Sequence, residues 1–488
     1  MPSRFRWAFC QIEALRHCLA PRVRHLLKEL PKTLDETYER ILRDIHEANR
    51  DHAHRLLQCL TVAVRPLRVA ELAEILAVDF GAASVGERSK LNTDWRWEDQ
   101  QEAVLSTCSS LISVVDDYED GSQVVQFSHF SVKEFLTSSR ITGSSGDVSG
   151  FQILLEPAHT ILAEACLVVL LRLGELVDRD NLINVEDKFP LARYAAEHWV
   201  DHARFENVSS HVREEMEDLF DPDKPYFAAW LRVHDIDIQP RDNSSLLFYI
   251  VDYTRDKSKF ATPLYCAALC GFHDIAEQLI IKHPQQVYAT GGYFVSPLGA
   301  ALRGEHLKIS QTLYEHGADV DVRVNIKRTL LDGASCSGHL EIVDWLLSRS
   351  ANPNSRDENG WTPLHGAAYF GHVEVSQLLL EYKTDICAQD NEGRTPLHSS
   401  LQMRHVNVAR LLLEHGADVN ARDNNRNTPL LRVVKDGYFE VVRLLVEHGA
   451  DIGAEDDKGR TAFQVASEEG HHDIAKLLSD HGSNDIIC

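Results

Sequence analysis

Hydrophobic residues recur every three or four positions along the first part of the chain. This spacing is seen in LDETYERILRDIHEA from Leu34 and in DHAHRLLQCLTVAV from Asp51, and RPLRVAELAEILAV from Arg65 adds a turn and a shorter segment. Such a period places the apolar side chains on one face of a helix. Thr33 and Glu36 form a T-x-x-E capping box, which is typical of a helix start. The pattern therefore predicts three successive helices.

The pattern changes between Ser109 and Leu136. Two runs rich in β-branched residues, LISVVDD and SQVVQFS, lie on either side of Asp120 and Gly121, and this dipeptide favours a hairpin turn. Helical spacing resumes in FSVKEFL. Helices followed by a hairpin indicate a winged-helix-like module over residues 66–142, preceded by a helical segment over residues 1–65.

The stretch GSSGDVSG at residues 143–150 is rich in small and polar residues and predicts a flexible linker. Helical periodicity then continues to about residue 255. Within it, HTILAEACLVVLLRL from His159 is apolar nearly all round, which is typical of a helix buried at the centre of a domain. We therefore predict a helical connecting domain over residues 151–255.

A repeat organises the rest of the chain. The tripeptide TPL or a close variant recurs at one interval of 34 residues and then at five of 33. The first residue of the tripeptide can cap a helix, Pro at its second position fits the first helical turn, and a Leu, Val and Ile stripe predicts a second helix. The units begin at Thr262, Ser296, Thr329, Thr362, Thr395, Thr428 and Thr461.

The period and the segment TPLHGAAYFGHVEVSQLLL from Thr362 resemble the ankyrin repeat. The resemblance implies an α-solenoid of seven units over residues 256–488, in which each unit buries its apolar face against its neighbours. The first unit lacks the usual GAD and the last has TAF, so we expect these two to cap the stack. Glu305 and Arg404 replace a turn glycine, and TLLDGAS replaces TPLHxAA, so we expect the second, third and fifth units to be less regular.

Charge argues against nucleic acid as a direct partner. The 488 residues carry a net charge of -24, of which residues 51–250 contribute -17 and residues 251–488 contribute -10. An acidic surface repels duplex nucleic acid. Acidic residues also occupy the expected wing and its neighbouring helix, namely Asp116, Asp117, Glu119, Asp120, Glu71 and Glu74.

No membrane partner and no secretion are expected. The longest apolar run, ACLVVLL at residues 165–171, is far shorter than the roughly 20 residues that cross a bilayer. The first residues carry charge too often for a secretory signal. Ten cysteines without a C-x-x-C pair are typical of reduced thiols. We expect a cytoplasmic or nuclear protein.

Motifs for catalysis are sparse. His198 and His202 are four residues apart in EHWVDH, but Trp199 occupies the position of the catalytic Glu in a zinc-protease helix. A hydrogen-bonded structural pair is therefore favoured over a metal site completed by Asp201 or Glu197. The sequence contains neither G-x-x-x-x-G-K-[ST] nor G-x-S-x-G. We expect no cofactor, no nucleotide hydrolysis and no small-molecule substrate.

Arrays that resemble ankyrin repeats bind other proteins through a concave face built from fingers and first helices. Aromatic and Arg side chains on a rigid face commonly anchor interfaces. Packing between adjacent repeats is the alternative role for each aromatic residue. The residues expected to line the face are Tyr293, Trp361, Tyr369, Phe370, Arg394, Met403, Arg404, Arg426 and Lys435.

Five segments in chain order, followed by the repeats, carry a second resemblance: FRWAFCQIEALR, LPKTLDETYERIL, RPLRVAELAEIL, FSHFSVKEFL and YAAEHWVDHARFE. Together they resemble the rear portion of fungal NACHT-ankyrin proteins, which are relatives of NOD-like receptors and other STAND-type proteins. The resemblance implies that FRWAFCQIEALR lies at the back edge of a NACHT nucleotide-binding domain, whose phosphate-binding loop this sequence lacks.

The expected fold is predominantly α, with a winged-helix and helical platform followed by an ankyrin-repeat α-solenoid. The expected function is non-enzymatic: a truncated NACHT-ankyrin type regulator or scaffold that binds another protein. Two alternatives stay open. One is a nuclear ankyrin-repeat transcription co-regulator, for example of a fungal secondary-metabolite gene cluster. The other is a cryptic NTPase or a metal hydrolase around His198.

Overall fold

The computed structural model describes a predominantly helical protein, which confirms the predicted fold class. The chain divides into two compact units, Met1–Ile238 and Gln239–Cys488. The segment FRWAFCQIEALR and the boundary predicted at residues 255 and 256 lie outside the described residues. The described ranges are 33–80, 89–96, 99–108, 110–117, 121–143, 146–176, 185–234, 261–323 and 328–482.

The first unit is built mainly from helices. Thr33 caps the first of them, and its hydroxyl accepts a hydrogen bond from the Glu36 N–H at 3.1 Å, as the capping box predicts. In chain order the helices are α1 (Leu34–Arg43), α2 (Arg50–Val62), α3 (Val69–Leu76), α4 (Gln100–Cys108), α5 (Phe130–Thr137), α6 (Gly146–Ser149), α7 (Leu155–Leu176), α8 (Val185–Lys188), α9 (Ala192–Ala203), α10 (Val208–His211), α11 (Arg213–Phe220) and α12 (Tyr226–Val233).

Short strands accompany the first helices. They are β1 (Leu67–Arg68), β2 (Val78–Asp79), β3 (Lys90–Leu91), β4 (Ile112–Asp116) and β5 (Gln123–Phe127). Strands β1, β5 and β4 form one antiparallel sheet in that order, with Leu67 opposite Val125. Strands β4 and β5 are the predicted hairpin, and both Leu67 and Val125 are buried. This sheet and helices α3–α5 lie within the predicted winged-helix-like module, and α2 precedes it.

Helix α7 is the centre of the first unit and packs against α2, α9, α11 and α12. Its apolar run is short, but the whole helix is long and apolar enough to cross a membrane by length and composition, with a mean hydropathy of 1.4 over its most apolar 18 residues. Of that window, 61% is buried inside the protein. Such burial is typical of the core helix of a folded domain.

The segment predicted as a flexible linker is partly helical in the described residues. Helix α6 lies within it, Val148 is fully buried, and the Phe151 N–H donates to the Val148 carbonyl at 3.0 Å. The prediction of a linker is therefore wrong at α6. The physical reason is that Val148 and Phe151 are apolar anchors among small polar neighbours, and composition alone does not register them.

The second compact unit consists of seven repeat units, each a pair of helices, within residues 261–323 and 328–482. Each repeat unit has an inner helix, which follows the capping Thr or Ser, and an outer helix. The pairs are α13 (Pro263–Cys270) with α14 (His273–Lys282), α15 (Pro297–Arg303) with α16 (Leu307–Glu315), α17 (Leu330–Ser337) with α18 (Leu340–Ser348), α19 (Pro363–Phe370) with α20 (Val373–Glu381), α21 (Pro396–Gln402) with α22 (Val406–Glu414), α23 (Pro429–Lys435) with α24 (Phe439–Glu447), and α25 (Ala462–Glu468) with α26 (His472–Gly482).

Neighbouring units interlock at one recurrent contact. We call the residue in the tight turn after each inner helix the turn residue. The next residue is called the overlying residue, because its side chain lies over the turn residue of the preceding unit. A Cβ added at Gly338 would lie 2.5 Å from the ring of His372, so glycine is required there for close approach as well as for its φ of +75°. The overlying His of one unit covers the turn glycine of the preceding unit at four junctions: His306 on Gly271, His372 on Gly338, His405 on Gly371 and His471 on Gly437.

At the two remaining junctions a side chain replaces the glycine. Glu305, with φ of +59°, places its carboxylate 3.2 Å from Nδ1 of the overlying His339. Arg404, with φ of +63°, places its guanidinium carbon 3.9 Å from the ring centroid of the overlying Tyr438. Both units keep their two helices, so these replacements do not break the repeat. The expected loss of regularity appears at the second unit, where α15 packs on α17 less closely than any other two successive inner helices do. It appears also at the fifth unit, where α21 packs on α23 less closely than α19 packs on α21.

Candidate functional site

The exposed side of the inner helices changes in chemistry along the array. We call the two residues before each turn residue, together with the residue before each capping Thr or Ser, the inner-helix face. From the second unit onward the two residues before the turn are half-buried or exposed. They run Arg303 and Gly304, Cys336 and Ser337, Tyr369 and Phe370, Gln402 and Met403, Lys435 and Asp436, Glu468 and Glu469. After Arg303 the face therefore passes from small residues through aromatic residues and Met403 to charged residues.

Three of the predicted binding residues meet in the fourth unit. The ring centroids of Trp361 and Tyr369 are 5.1 Å apart, and those of Tyr369 and Phe370 are also 5.1 Å apart, in a near-perpendicular arrangement. The indole N–H of Trp361 donates to Asp390 at 3.2 Å. All three rings are half-buried. Each ring thus makes contacts within the protein and keeps part of its surface exposed to solvent, so packing and availability for binding coexist here.

Arg394 is held in the finger that precedes the fifth unit. Its Nε donates to Asp390 at 2.8 Å, and its Nη1 lies 3.1 Å from Glu392. Its carbonyl accepts a hydrogen bond from His365 at 3.0 Å, and its side chain is only 15% exposed. The guanidinium is therefore matched by carboxylates of the protein itself. Its observed role is to stabilise the finger.

Met403 and Arg404 lie side by side at the end of the fifth inner helix, and both are exposed, Met403 to 44%. Tyr438 supports Arg404 from the next unit, although the sequence had not marked it as functional. The detectable signal is that Tyr438 stands where most units have the overlying His, directly opposite a turn residue that is not glycine.

The last three predicted residues are separate from the aromatic cluster. Arg426 lies at the tip of a finger, with φ of +60° where the equivalent glycines also have positive φ. Lys435 is exposed at the end of α23. The half-buried ring of Tyr293 lies 4.9 Å from that of Phe294, in the finger before the second unit. The structure thus distributes the nine predicted residues over several units.

The buried histidines of the inner helices are structural. His365 and His398 are the third residues of their helices, and each binds the capping Thr hydroxyl, at 2.8 Å and 3.0 Å. The other ring nitrogen of each donates to a carbonyl in the next finger, which confirms their predicted bonding to neighbouring loops. Burial lowers the pKa of His398 to about 4. Asp332 holds the same helix position in the third unit, and burial raises its pKa to about 6.

The candidate metal pair does not converge. His202 is fully buried, with Nε2 hydrogen-bonded to the Tyr194 hydroxyl at 2.9 Å and Nδ1 at 2.9 Å from Nδ1 of His159. His198 is hydrogen-bonded to Asp201 at 3.2 Å. Burial lowers the pKa of His202 to about 4. The predicted structural role of His202 is confirmed, with Tyr194 and His159 as its partners in place of His198.

Helix α3 is buried, and its two acidic residues do not reach the surface. Glu71 and Glu74 are 1% and 2% exposed. Glu71 is bound through both oxygens by Arg65, at 2.6 Å and 2.9 Å. Glu74 pairs with Arg96 and accepts the Leu191 N–H at 2.6 Å, and burial raises its pKa. The sequence-based argument that these two acids repel phosphate is wrong, because their charges are compensated inside the protein.

Comparison with known proteins agrees with this architecture. The family profile described as "GPI inositol-deacylase, winged helix domain" matches residues 39–151. The profile described as "Ankyrin repeats" matches in three copies within residues 330–423 and 416–486. The chain therefore carries a winged helix domain followed by ankyrin repeats, which confirms the two predicted domain types and their order.

A curated relative is also similar. The "Azaphilone pigments biosynthesis cluster protein L" of Monascus ruber is 34% identical over 306 residues, which make up 60% of this chain and 61% of that relative. The chain thus matches about three fifths of the length of this fungal protein. Together with the two domain types, this similarity agrees with the resemblance to the rear portion of fungal NACHT-ankyrin proteins.

Proposed function

We propose that this chain is a non-catalytic regulator or scaffold whose inner-helix face binds a segment of another protein. The observation that carries the proposal is the cluster of Trp361, Tyr369 and Phe370 in the middle of the array, where each ring is half-buried. Trp and Tyr are enriched among residues that dominate binding energies, because they bury a large area with few rotatable bonds.

The rigidity of the array supports the same function. Helix caps and the interlock between His405 and Gly371 hold the aromatic residues in place before a partner arrives. A surface that is already ordered loses less conformational entropy on binding, so more of the contact energy appears as affinity. In this proposal the first compact unit, which contains the winged helix domain, is a platform for the array. The proposal includes no cofactor, no small-molecule substrate, and no direct contact with nucleic acid or membrane.

A second candidate is a nuclear co-regulator of a fungal gene cluster. The observation that favours it is the name of the fungal relative, which describes a biosynthesis cluster protein. The two candidates share the binding face and differ in location, cytosol or nucleus. Fractionation of fungal cells that express the tagged chain separates them, since a co-regulator must be present in the nuclear fraction together with its bound protein.

The test compares partner capture by the full chain and by variants. Trp361→Ala combined with Phe370→Ala should abolish capture of proteins that the wild type retains from a fungal lysate. Trp345→Ala is the matched control, because Trp345 is a half-buried aromatic residue on the outer helix α18. It should retain the same proteins. Thermal unfolding of each variant shows whether the rings are needed for folding instead.

Three outcomes would overturn the proposal. One is equal capture by the wild type and the double variant. Another is a double variant that unfolds at a temperature far below that of the wild type, which would assign the rings to the core. The third is turnover of labelled ATP by the purified chain, or stoichiometric zinc at His198, because either would show an enzymatic function.

A further inference from the structure

We propose that the inner-helix face over the fourth to sixth units takes an acidic, extended segment of a partner protein. An apolar or aromatic side chain of that segment sits beside Tyr369 and Met403, and one of its Asp or Glu carboxylates binds Arg404 and Lys435. This inference rests on the proposed protein-binding function and adds the chemistry of the partner.

Three arginines of this face are already matched by carboxylates within the protein. The ankyrin-repeat part of the chain carries a net negative charge. The arginines in its fingers bind carboxylates of their own or neighbouring fingers. Such internally paired groups gain little from a partner carboxylate, since binding it would require breaking an existing ion pair. The pairs are Arg328 with Asp357 at 3.1 Å, Arg394 with Asp390 at 2.8 Å, and Arg460 with Asp456 at 2.8 Å.

Arg404 and Lys435 differ from these arginines. Both side chains are exposed, and neither has a carboxylate partner in the part of the chain that the structure describes. They belong to adjacent units, the fifth and the sixth, at the ends of inner helices that pack together. Arg404 and Lys435 are thus two neighbouring positive charges without counter-charges in an array that is acidic as a whole. Together they form a local site for an anionic group.

The guanidinium of Arg404 is held in one orientation. Arg404 occupies the left-handed backbone region with φ of +63°, and its guanidinium carbon lies 3.9 Å from the Tyr438 ring centroid. Stacking on an aromatic face leaves the edge of the planar group, with its N–H donors, open to solvent. That edge matches the two oxygens of a carboxylate. A fixed guanidinium also loses little rotamer entropy when the carboxylate binds.

An apolar surface lies next to these charges. Met403 precedes Arg404 directly and is 44% exposed. Tyr369 and Phe370 present their half-buried rings in the preceding unit. Methionine adapts its shape to different apolar side chains, and aromatic rings supply fixed contact area. The face therefore suits an apolar or aromatic anchor placed one unit before the carboxylate.

The spacing of the partner residues follows from the spacing of the helices. Helices α19, α21 and α23 pack successively, and packed helices are roughly 8–10 Å apart. An extended chain rises about 3.3 Å per residue. The anchor and the carboxylate should therefore be about three residues apart in the partner, in the pattern Φ-x-x-[DE] or its reverse, [DE]-x-x-Φ, where Φ is a large apolar or aromatic residue.

The acidic end of the array limits where the acidic residues of the partner can lie. Beyond Lys435 the same face carries Asp436, Glu468 and Glu469, all exposed. Like charges opposed across an interface are unfavourable, so acidic residues of the partner cannot continue over the seventh unit. The carboxylate therefore binds over the fifth and sixth units, and the part of the segment that lies over the seventh unit is neutral or basic.

The test uses synthetic peptides selected on the full-length chain. A phage library of random dodecapeptides should enrich Φ-x-x-[DE] or its reverse, and labelled peptides with the enriched pattern are then titrated by fluorescence anisotropy. Arg404→Glu with Lys435→Glu should weaken binding at least about tenfold, in line with the loss of a charge-assisted hydrogen bond. Arg404→Gly tests the same contact in a variant that keeps the fold, because glycine occupies this position in other units.

The matched control is Arg410→Glu. Arg410 is exposed on the outer helix α22 of the same unit, so Arg410→Glu places a reversed charge away from the inner-helix face and should leave peptide affinity within about twofold. Enrichment of basic peptides, or of no acidic pattern, would overturn the inference. So would affinity that resists both Arg404 variants. If such a peptide still depends on Trp361 and Tyr369, the proposed protein-binding function survives alone; independence from those rings would overturn both.

Discussion

The imidazole of His372 covers Gly338 and donates to the carbonyl of Cys336 at 3.0 Å, so that one side chain joins the fourth unit to the third. Equivalent contacts recur between His405 and Gly371 and between His471 and Gly437. Because the ring fills the space that a Cβ would occupy, the stack depends on glycine at these positions for a reason beyond its backbone freedom. The stability of the array should therefore be sensitive to a single methyl group there.

Gly338→Ala is expected to lower the free energy of unfolding by roughly 2–4 kcal/mol, because the methyl group meets the His372 ring and φ of +75° is strained for alanine. Gly470→Ala is the control. Gly470 has φ of +79° with nothing within 4 Å of an added Cβ, so only the backbone cost of about 1 kcal/mol remains. Urea unfolding followed by circular dichroism measures both. Equal losses would show that the imidazole imposes no constraint.

His398→Gln should reduce the loss of stability in acid. Burial lowers the pKa of His398 to about 4, so the folded state binds fewer protons than the unfolded state between about pH 4 and 6.5. Stability from this group is complete above pH 6.5 and falls as the pH falls. The wild type should lose about 2 kcal/mol more than the variant between pH 7 and pH 5. Gln fits the position, since Gln464 caps Thr461 in the seventh unit at 2.9 Å. Parallel slopes of stability against pH would contradict this.

Asp332→Asn should have the opposite pH dependence. Burial raises the pKa of Asp332 to about 6, so the folded state binds more protons than the unfolded state between about pH 3.8 and 6. The charged carboxylate therefore costs stability above pH 6, and this cost disappears toward pH 4. The variant should be more stable than the wild type at pH 7, by about 1–3 kcal/mol, and lose that advantage near pH 4. Thermal unfolding at both pH values tests it, and a variant less stable at pH 7 would show that the hydrogen bonds of Asp332 dominate.

Glu71→Ala should destabilise the first compact unit, which contains the winged helix domain, by about 3 kcal/mol. The change leaves the Arg65 guanidinium and the Arg68 N–H without their buried acceptor. Glu186→Ala is the control. Glu186 pairs with Arg68 and Arg193, but it is 45% exposed, so its loss should cost about 0.5 kcal/mol. Denaturant unfolding of both variants gives the comparison. A small effect at Glu71 would mean that water replaces the carboxylate.

Leu379→Ala should cost roughly 2–5 kcal/mol through a cavity, because Leu379 is fully buried on the outer helix α20. Leu340→Ala serves for comparison, since Leu340 is 41% exposed on α18 and should lose less than about 1 kcal/mol. Both are measured by urea unfolding. Similar losses at the two sites would argue against a tightly packed outer-helix layer.

The sequence predicts the elements of this fold well where the evidence is local. The hydroxyl of Thr428 caps α23 as the repeat pattern indicates, and Gly271 and Gly371 adopt positive φ at the helix ends. These features depend on residues within one unit. The β-hairpin was likewise predictable, because alternation and the Asp-Gly turn lie within a short window.

Contacts between distant residues were not predictable in the same way. The charges of Glu71 and Glu74 suggested an acidic surface, but Arg65 and Arg96 compensate them inside the fold, and the hydrophobic pattern does not encode that burial. Arg394 was a reasonable binding candidate until Asp390 and Glu392 were found beside it. A charge that is paired inside the protein is not available to a partner, and the sequence alone does not show which charges are paired.

The pairing of Arg404 with Tyr438 lies between these cases. The two residues belong to different units, but each departs from the repeat at adjacent positions of consecutive units, and Glu305 with His339 is the second non-glycine pair. Aligning each turn residue with the overlying residue of the next unit would have revealed the pair. The information was in the sequence but required the repeat register and the stacking direction together.

These junction pairs also bear on how such an array changes in evolution. Recombination between repeats could delete the fifth unit without altering any helix or cap, yet it would set Tyr438 against Gly371 in place of Arg404. A ring selected to support a guanidinium would then meet a bare backbone. The turn and overlying residues are thus matched to the present order of the units. Gain or loss of a repeat in this lineage should be accompanied by compensating substitutions at the turn residue and at the residue that overlies it.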